Sequence, residues 1–459
     1  MSQKQEPDRQ SLSSTSSDND DNAEMFSAVL AALDKEQLPV LAADVLRRLH
    51  PDASIKTPTV GEPIYGSYHV LFRLTFDGGP SWIAKIPING TAEKWNELSA
   101  SSIASEANTM RLLRRETSIP LPEVVDFSST TDNPLHCPYI IMCFVTGAPL
   151  YNVWFGHRLN KDVSHETTHS RRVRALEGIS KAMLQLDKFT SSSPATLRDG
   201  TLDGRLRRVD HQAMLQKMFS GAEDADNDPI YVECPTSNDP KVYYTLFLDE
   251  HPPTHKVQQG VGLILRQLIA WIPEPSGADP FVLAHPDFDV QNFLVSEDGE
   301  LLSIIDWDGV STVPRSIGNR RYPGWLTRDW DPAMYGYEPS MDDGVEPEGV
   351  WEDSPETLAQ YRGIYIALMA EHSGSSSGVN LTQMSLLTEN LGIAVEDPRC
   401  RSKVVSKFVH EIYAAAGERP LEPIDYSDIL HSFADGNVED EVMEILRKGF
   451  DALLAKEGL

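Results

Sequence analysis

Residues 281–308, FVLAHPDFDVQNFLVSEDGELLSIIDWD, constrain the fold more than any other stretch, because they set acidic and amide side chains at the ends of short apolar runs. FVLA (281–284) and NFLV (292–295) read as buried strands, SEDGE (296–300) as a hairpin turn and LLSII (301–305) as the return strand. A strand, a tight polar loop and a hairpin would hold Asp287, Asn292 and Asp306 near one point. The loop fits H-x-D-x-x-x-x-N through His285, Asp287 and Asn292, with Asp306 one hairpin later. His285 is expected to fix the loop by hydrogen bonding. Asp287 would accept a proton or orient a hydroxyl, and Asn292 and Asp306 offer the hard oxygens that Mg²⁺ prefers.

A chain of 459 residues exceeds one ordinary core and suggests two or three domains or one large two-lobed fold. The formal net charge of −29 argues against duplex nucleic acid or an anionic membrane as partner, since both reward a basic face. Cys137, Cys143, Cys234 and Cys400 lie far apart without a C-x-x-C, so neither a disulfide framework nor a zinc ribbon is indicated. With no apolar run long enough to span a bilayer and no basic-then-apolar start, a soluble, cytoplasmic protein is expected.

In chain order, residues 1–22 lack large apolar side chains apart from Met1 and Leu12 and are expected to form a disordered tail. Residues 23–51 carry apolar side chains at helical spacing. The period changes over 59–87, which reads as three antiparallel strands with turns at Gly66-Ser67 and Asp77-Gly78-Gly79. Lys85 sits in the third strand between Ala84 and Ile86, which is how a phosphate-binding lysine is mounted beside a glycine turn. A helix follows over Glu97–Glu116, with Glu106 the candidate partner of Lys85. LPEVVDF (121–127) begins a strand and CPYIIMCFVTGAPL (137–150) forms another that breaks at Gly147 and Pro149, where a β-rich lobe hands over to a helical one. Beyond it, Arg171–Phe189 and Gln258–Ile272 are helical, 190–245 reads as an irregular insertion, and 341–356 as an acidic, flexible segment. Helices over Glu356–His372, Arg401–Ala416 and Glu439–Lys456 finish the chain, with weaker helicity over 381–391.

HPDFDVQNFLV followed by IIDWD resembles the catalytic loop and metal motif of the aminoglycoside phosphotransferase and choline kinase-like family of small-molecule kinases, fungal-type members included. PYIIMCFVTGAPL resembles that family's lobe-connecting strand, and GSYHVLFRLTF and WIAKIP its nucleotide-binding strands. The resemblance implies an α+β, two-lobed protein-kinase-like fold: a small antiparallel N-lobe (about 52–146) and a larger, mainly helical C-lobe (147–459). It also implies ATP and Mg²⁺ as cofactors and phosphoryl transfer to a hydroxyl of a small molecule. Gly66, Ser67 and Lys85 would then meet the phosphates, Glu106 would pair with Lys85, and Met142, Cys143 and Phe144 would take the adenine. Asp289 stands where many members have a second histidine and Pro286 where glycine is common, so binding of nucleotide without turnover is a second reading.

Two further patterns bear on function. Asp289, Asp308, Asp329, Asp331 and the acidic 341–353 segment read either as solvated surface of an acidic chain or as the lining of a site for an amine-bearing alcohol. His165-Glu166-Thr167-Thr168-His169 satisfies H-E-x-x-H, the zinc-peptidase signature, although its polar flanks are unlike a buried zinc helix.

Overall fold

The computed structural model describes residues 23–51, 55–220, 228–273, 279–373 and 379–455; the expected tail over 1–22 lies outside them. The alternating stretch over 59–87 forms β1 (Thr59–Tyr65), β2 (His69–Thr75) and β3 (Ser81–Pro87). With β4 (Val124–Ser128) and β5 (Tyr139–Cys143) these make one five-stranded sheet in the order β1-β2-β3-β5-β4, antiparallel throughout. The β2–β3 turn needs Gly78, whose φ of 66° is left-handed.

Helices α1 (Ser27–Ala32) and α2 (Gln37–Leu49) pack Val29, Leu38, Leu41 and Val45 into one core with Val70, Phe72, Trp82 and Ile86 of the sheet. Helix α3 (Glu97–Glu116) starts where the Asn96 side chain accepts from Ser99 N at 3.0 Å, satisfying one orphan amide of its first turn. Its stripe of Ile103, Ala107, Met110 and Leu113 joins the larger, second core instead. The sheet lobe and the helical lobe therefore share α3 as a wall.

The linking strand differs from expectation. β5 ends at Cys143, and Ala148–Pro149 is a separate strand, β6, whose Pro149 and Ala148 pair with Leu294 and Val295. Gly147 allows this crossing, since a Cβ there would stand 3.2 Å from both Leu294 Cβ and Val295 O. Short α4 (Leu150–Trp154) and α5 (Gly156–Leu159) lead into α6 (His165–Leu184). That helix begins six residues before the apolar periodicity does, because Ser164 caps it by accepting from Thr167 N at 3.1 Å.

Residues 190–245 are more ordered than a loose insertion. They hold β7 (Thr190–Ser191), β8 (Thr196–Arg198), β9 (Thr201–Gly204), β10 (Arg207–Val209), α7 (His211–Phe219), β11 (Tyr231–Glu233) and the start of α8 (Pro240–Glu250). Residues 221–227 of this segment lie outside the described residues. α8 is a core helix that buries Tyr243, Tyr244 and Phe247. The remaining elements are two to nine residues long, and pairing with distant partners, not local period, sets them. Val282 pairs with Thr190, and Leu197 N donates to Ser105 Oγ on α3 at 3.1 Å.

Helix α9 (Lys256–Trp271) leads into β12 (Phe281–Ala284), the hairpin strands β13 (Phe293–Val295) and β14 (Leu301–Ile304), and β15 (Ser311–Pro314). The C-terminal helices are α10 (Pro355–Ser373), α11 (Val379–Glu396), α12 (Pro398–Ala416), α13 (Pro423–Asp435) and α14 (Asp440–Ala455). α13 was not anticipated, and the weakly patterned 381–391 stretch lies inside a full helix. α11 is enclosed by neighbours, so it lacks the one-sided stripe that marks a surface helix. The architecture is α+β and two-lobed, as the resemblance implies. No helix of the described residues is long and apolar enough to cross a membrane.

Candidate active site

The hairpin and the sheet meet at Lys85. On the middle strand of the sheet, Lys85 is 6 % exposed; its Nζ lies 2.8 Å from Glu106 Oε1 and 3.0 Å from Asp306 Oδ1. The ammonium thus joins a strand and a helix of the sheet lobe to the far hairpin. Burial opposes its charge, but Asp306, Glu106 and Asp308 hold it well above the ordinary lysine range. Burial pushes Glu106 up to about 7; Lys85 opposes this, while Asp308 and Asp306 add to it. Three carboxylates around one ammonium leave the cluster short of positive charge.

Asp306 has a φ of 58°, uncommon for a residue with a Cβ. Burial would raise its carboxyl, yet Lys85, His69 and His285 override that and bring it down to about 2. It is therefore an anion at any working pH, with half of its side chain open to the cleft.

The loop after β12 is fastened on both sides. His285, 1 % exposed, donates from Nε2 to Ile305 O at 2.9 Å and packs edge-on against Trp307, its ring centroid 4.7 Å away. Burial lowers its pKa to about 4, so the ring is held neutral between the Ile305 carbonyl and Trp307. Arg321 Nη2 donates to His285 O at 2.9 Å, and Ile305 N donates to Asn292 O at 2.9 Å, which brings residues 292 and 306 side by side. Asn292 uses its Nδ2 on Asp287, at 2.8 Å to Oδ2 and 2.9 Å to the backbone carbonyl. Gln291 Nε2 donates to the same Oδ2 at 2.9 Å. The Asp287 carboxyl is pushed up to about 6 by burial and by Asp289, with Asp306 adding to the effect.

The donor set suits a hard divalent cation: Asp306 is ionised, Asn292 turns its nitrogen to Asp287, and the carboxylate cluster lacks positive charge. At the lobe link, Cys143 N and Phe144 N are already committed to Glu123 O and Ser81 O, both at 2.8 Å. Any ligand read by that backbone must therefore use carbonyls there or amides further on. Met142 pairs with Ile83 inside the sheet, and Gly66 N closes its turn on His69 O at 2.9 Å, leaving Ser67 exposed at the tip.

The acidic amine site is not assembled. Asp289 caps the 290–292 turn by accepting from Val290 N at 2.7 Å and pairs with Arg328; Asp329 pairs with buried Arg362 at 2.8 Å. Asp331 is buried and accepts from Ala333 N at 2.9 Å. The end of the acidic segment is built into the core, where Asp353 accepts from Arg172 Nη2 at 3.0 Å and Trp154 Nε1 at 2.7 Å. Asp308 lies 3.8 Å from His69 Nε2, beside the Lys85 cluster. His69, Gln291 and Arg321 are site residues that sequence reasoning missed. Only Gln291 carried a signal, its place one residue before Asn292.

The H-E-x-x-H residues form the start of α6. His169 Nδ1 lies 2.9 Å from the Tyr361 hydroxyl and the His165 ring packs on His157. Among the described residues no group of three or more His, Cys, Asp or Glu is placed to hold a metal ion.

No family model matches the chain. It is 23 % identical over 353 residues to a subtelomeric hrmA-associated cluster protein of Aspergillus fumigatus, covering 64 % of this chain and 66 % of that one. Altered inheritance of mitochondria protein 9 of Yarrowia lipolytica is 25 % identical over 141 residues, covering 30 % of this chain and 23 % of that one. The matched stretches span less than two thirds of these relatives' own length. Among solved structures, the chain is similar to an amicoumacin kinase (13 % identity, TM-score 0.44, covering 89 % of this chain and 96 % of that one). It is similar also to a Plasmodium vivax ethanolamine kinase (11 %, TM-score 0.38, 95 % and 98 %) and a type I macrolide 2'-phosphotransferase (14 %, TM-score 0.40, 82 % and 96 %). All three are named as kinases or phosphotransferases; at these TM-scores they lend no residue roles to this chain, and the site stands on its own geometry.

Proposed function

We propose that the protein is a cytoplasmic, ATP- and Mg²⁺-dependent phosphotransferase acting on a hydroxyl of a small molecule, with its cleft between an N-lobe of about 52–146 and a C-lobe of 147–459. The observation that carries this reading is the convergence at Asp306 of the Lys85–Glu106 pair with the fastened Asp287–Asn292 loop. Phosphoryl transfer asks little covalent chemistry of a protein; it asks for charge compensation and a positioned nucleophile.

Lys85, kept cationic and oriented by Glu106, offsets charge on the phosphates. Gly66 and Ser67 cover them from the turn, and the backbone at Met142, Cys143 and Phe144 borders the adenine. Asp287 accepts the proton of the acceptor hydroxyl, held in place by Asn292 and Gln291. Asn292 and Asp306 would hold Mg²⁺, which when bound neutralises charge on the transferring group.

The test is thermal unfolding. Millimolar ATP with Mg²⁺ is expected to raise the melting temperature by ligand linkage, and Asp306→Ala to abolish the metal-dependent part. No shift of the wild-type protein would overturn the reading.

A further inference from the structure

Among the described residues the buried arginines are charge-compensated. Arg172, Arg208, Arg321 and Arg362, each at most 9 % exposed, have Asp353, Glu396, Glu389 and Asp329 as carboxylate partners. The pairing follows from the cost of leaving a guanidinium away from water without a counter-charge. Arg207, on β10, is only partly buried and has no such partner among the described residues. Its guanidinium lies 3.7 Å from the centroid of the Tyr231 ring, and its Nε is buried without a hydrogen-bond partner. Its one hydrogen bond, from Nη1 to Ser99 Oγ, is long at 3.3 Å. Among the described residues no carboxylate is in ion-pair contact with it; burial lowers its pKa, opposed by Tyr231 and by the nearby charge of Asp308.

Arg207 also lines a cavity. Its walls include His69 and Asp308, Ser99 and Glu106 of α3, and Tyr231. Glu106 and Asp308 also act on Lys85, so this cavity lies against the Lys85 cluster of the proposed phosphoryl-transfer site. The segment over 190–245 thus supplies a wall of that cavity and the wall's only unpaired cation among the described residues. An arginine with an open donor fork and serine hydroxyls beside it is matched by an oxyanion. Asp308, unable to tolerate a second anion close by, is matched by a hydroxyl donor.

We propose that this cavity is the acceptor subsite, and that the acceptor is a hydroxylated compound bearing a phosphate or carboxylate group that Arg207 holds. The inference rests on the phosphotransferase reading and replaces the amine-bearing acceptor expected from the acidic residues.

The experiment compares wild type with Arg207→Gln and Arg207→Lys by calorimetric titration of inorganic phosphate, glycerol 3-phosphate and ethanolamine, each with and without saturating AMP-PNP and Mg²⁺. Filling the nucleotide site first keeps phosphate from reporting on the triphosphate pocket. Glycerol 3-phosphate is expected to bind wild type in both conditions and ethanolamine not to bind. Arg207→Gln is expected to weaken glycerol 3-phosphate at least tenfold, Arg207→Lys to recover part of it, and both to bind AMP-PNP as wild type does. Equal phosphate-ester affinity in wild type and Arg207→Gln would overturn the proposal. So would a parallel loss of AMP-PNP affinity, which would assign Arg207 to the nucleotide. Failure of AMP-PNP to bind wild type would sink the phosphotransferase reading, while the titrations without nucleotide would still decide whether Arg207 holds an anion.

Discussion

The side-chain amide of Asn292 donates to Asp287 twice, at 2.8 Å to the carboxylate and 2.9 Å to the backbone carbonyl, so the proposed base and the proposed metal-side residue share one turn. Gln291 donates to the same carboxylate oxygen, so both side-chain hydrogen bonds to the Asp287 carboxylate fall on Oδ2.

That arrangement predicts a pH profile. Burial and Asp289 push the Asp287 carboxyl up to about 6, and a base works only when deprotonated. Turnover is expected to fall about tenfold per pH unit below 6 and to level above it. Asp287→Asn is expected to lower turnover by roughly 10²–10⁴-fold, the usual worth of a general base, while nucleotide binding persists. Initial rates across pH 4.5–8 check this; an unchanged rate in Asp287→Asn would remove the residue from the mechanism and favour binding without turnover.

Asp289 stands where the sequence departs from the family pattern it resembles, and its partners in the fold are two. It caps the turn that carries Asn292 and neutralises Arg328, whose charge Asp289 holds well above the ordinary range. Asp289→Ala is expected to cost about 2 kcal/mol, the low side of a broken buried pair because both groups are partly screened by solvent. Urea unfolding measures that loss. Preference among acceptors should stay as in wild type, and a shift toward anionic acceptors would return Asp289 to the substrate site.

The parts of this fold legible in the sequence were those whose cause is local. The three strands over 59–87 are separated by Gly-containing turns, the Glu97–Glu116 helix has a clean stripe and an Asn96 cap, and the Asp287, Asn292 and Asp306 spacing is fixed by one tight loop and one hairpin. What stayed hidden is set at a distance. β7 and β8 take their geometry from Val282 and from α3, and Arg207 reaches the cleft only because that segment is laid against Ser99. The acidic residues misled for the same reason: composition shows Asp329 and Asp353 as charges, and only the fold shows Arg362 and Arg172 against them.

Asp353 therefore gives the sharpest test of the helical lobe. It is 2 % exposed and takes hydrogen bonds from Arg172 Nη2 and Trp154 Nε1, while Arg172 Nε donates to Trp154 O at 2.7 Å and its guanidinium lies 4.7 Å from the Trp154 ring centroid. Asp353→Ala would strand a buried cation and an indole donor together, and is expected to cost about 3–5 kcal/mol in urea unfolding. Removing both charges in Asp353→Leu with Arg172→Met is expected to recover much of that loss, since two apolar side chains leave no uncompensated charge. Because Arg172 and Asp353 hydrogen-bond to neither Lys85 nor Asp287, KM for ATP in the folded double variant should match wild type. A double variant no more stable than Asp353→Ala would show that the segment ending at Ser354 is held by something other than this pair.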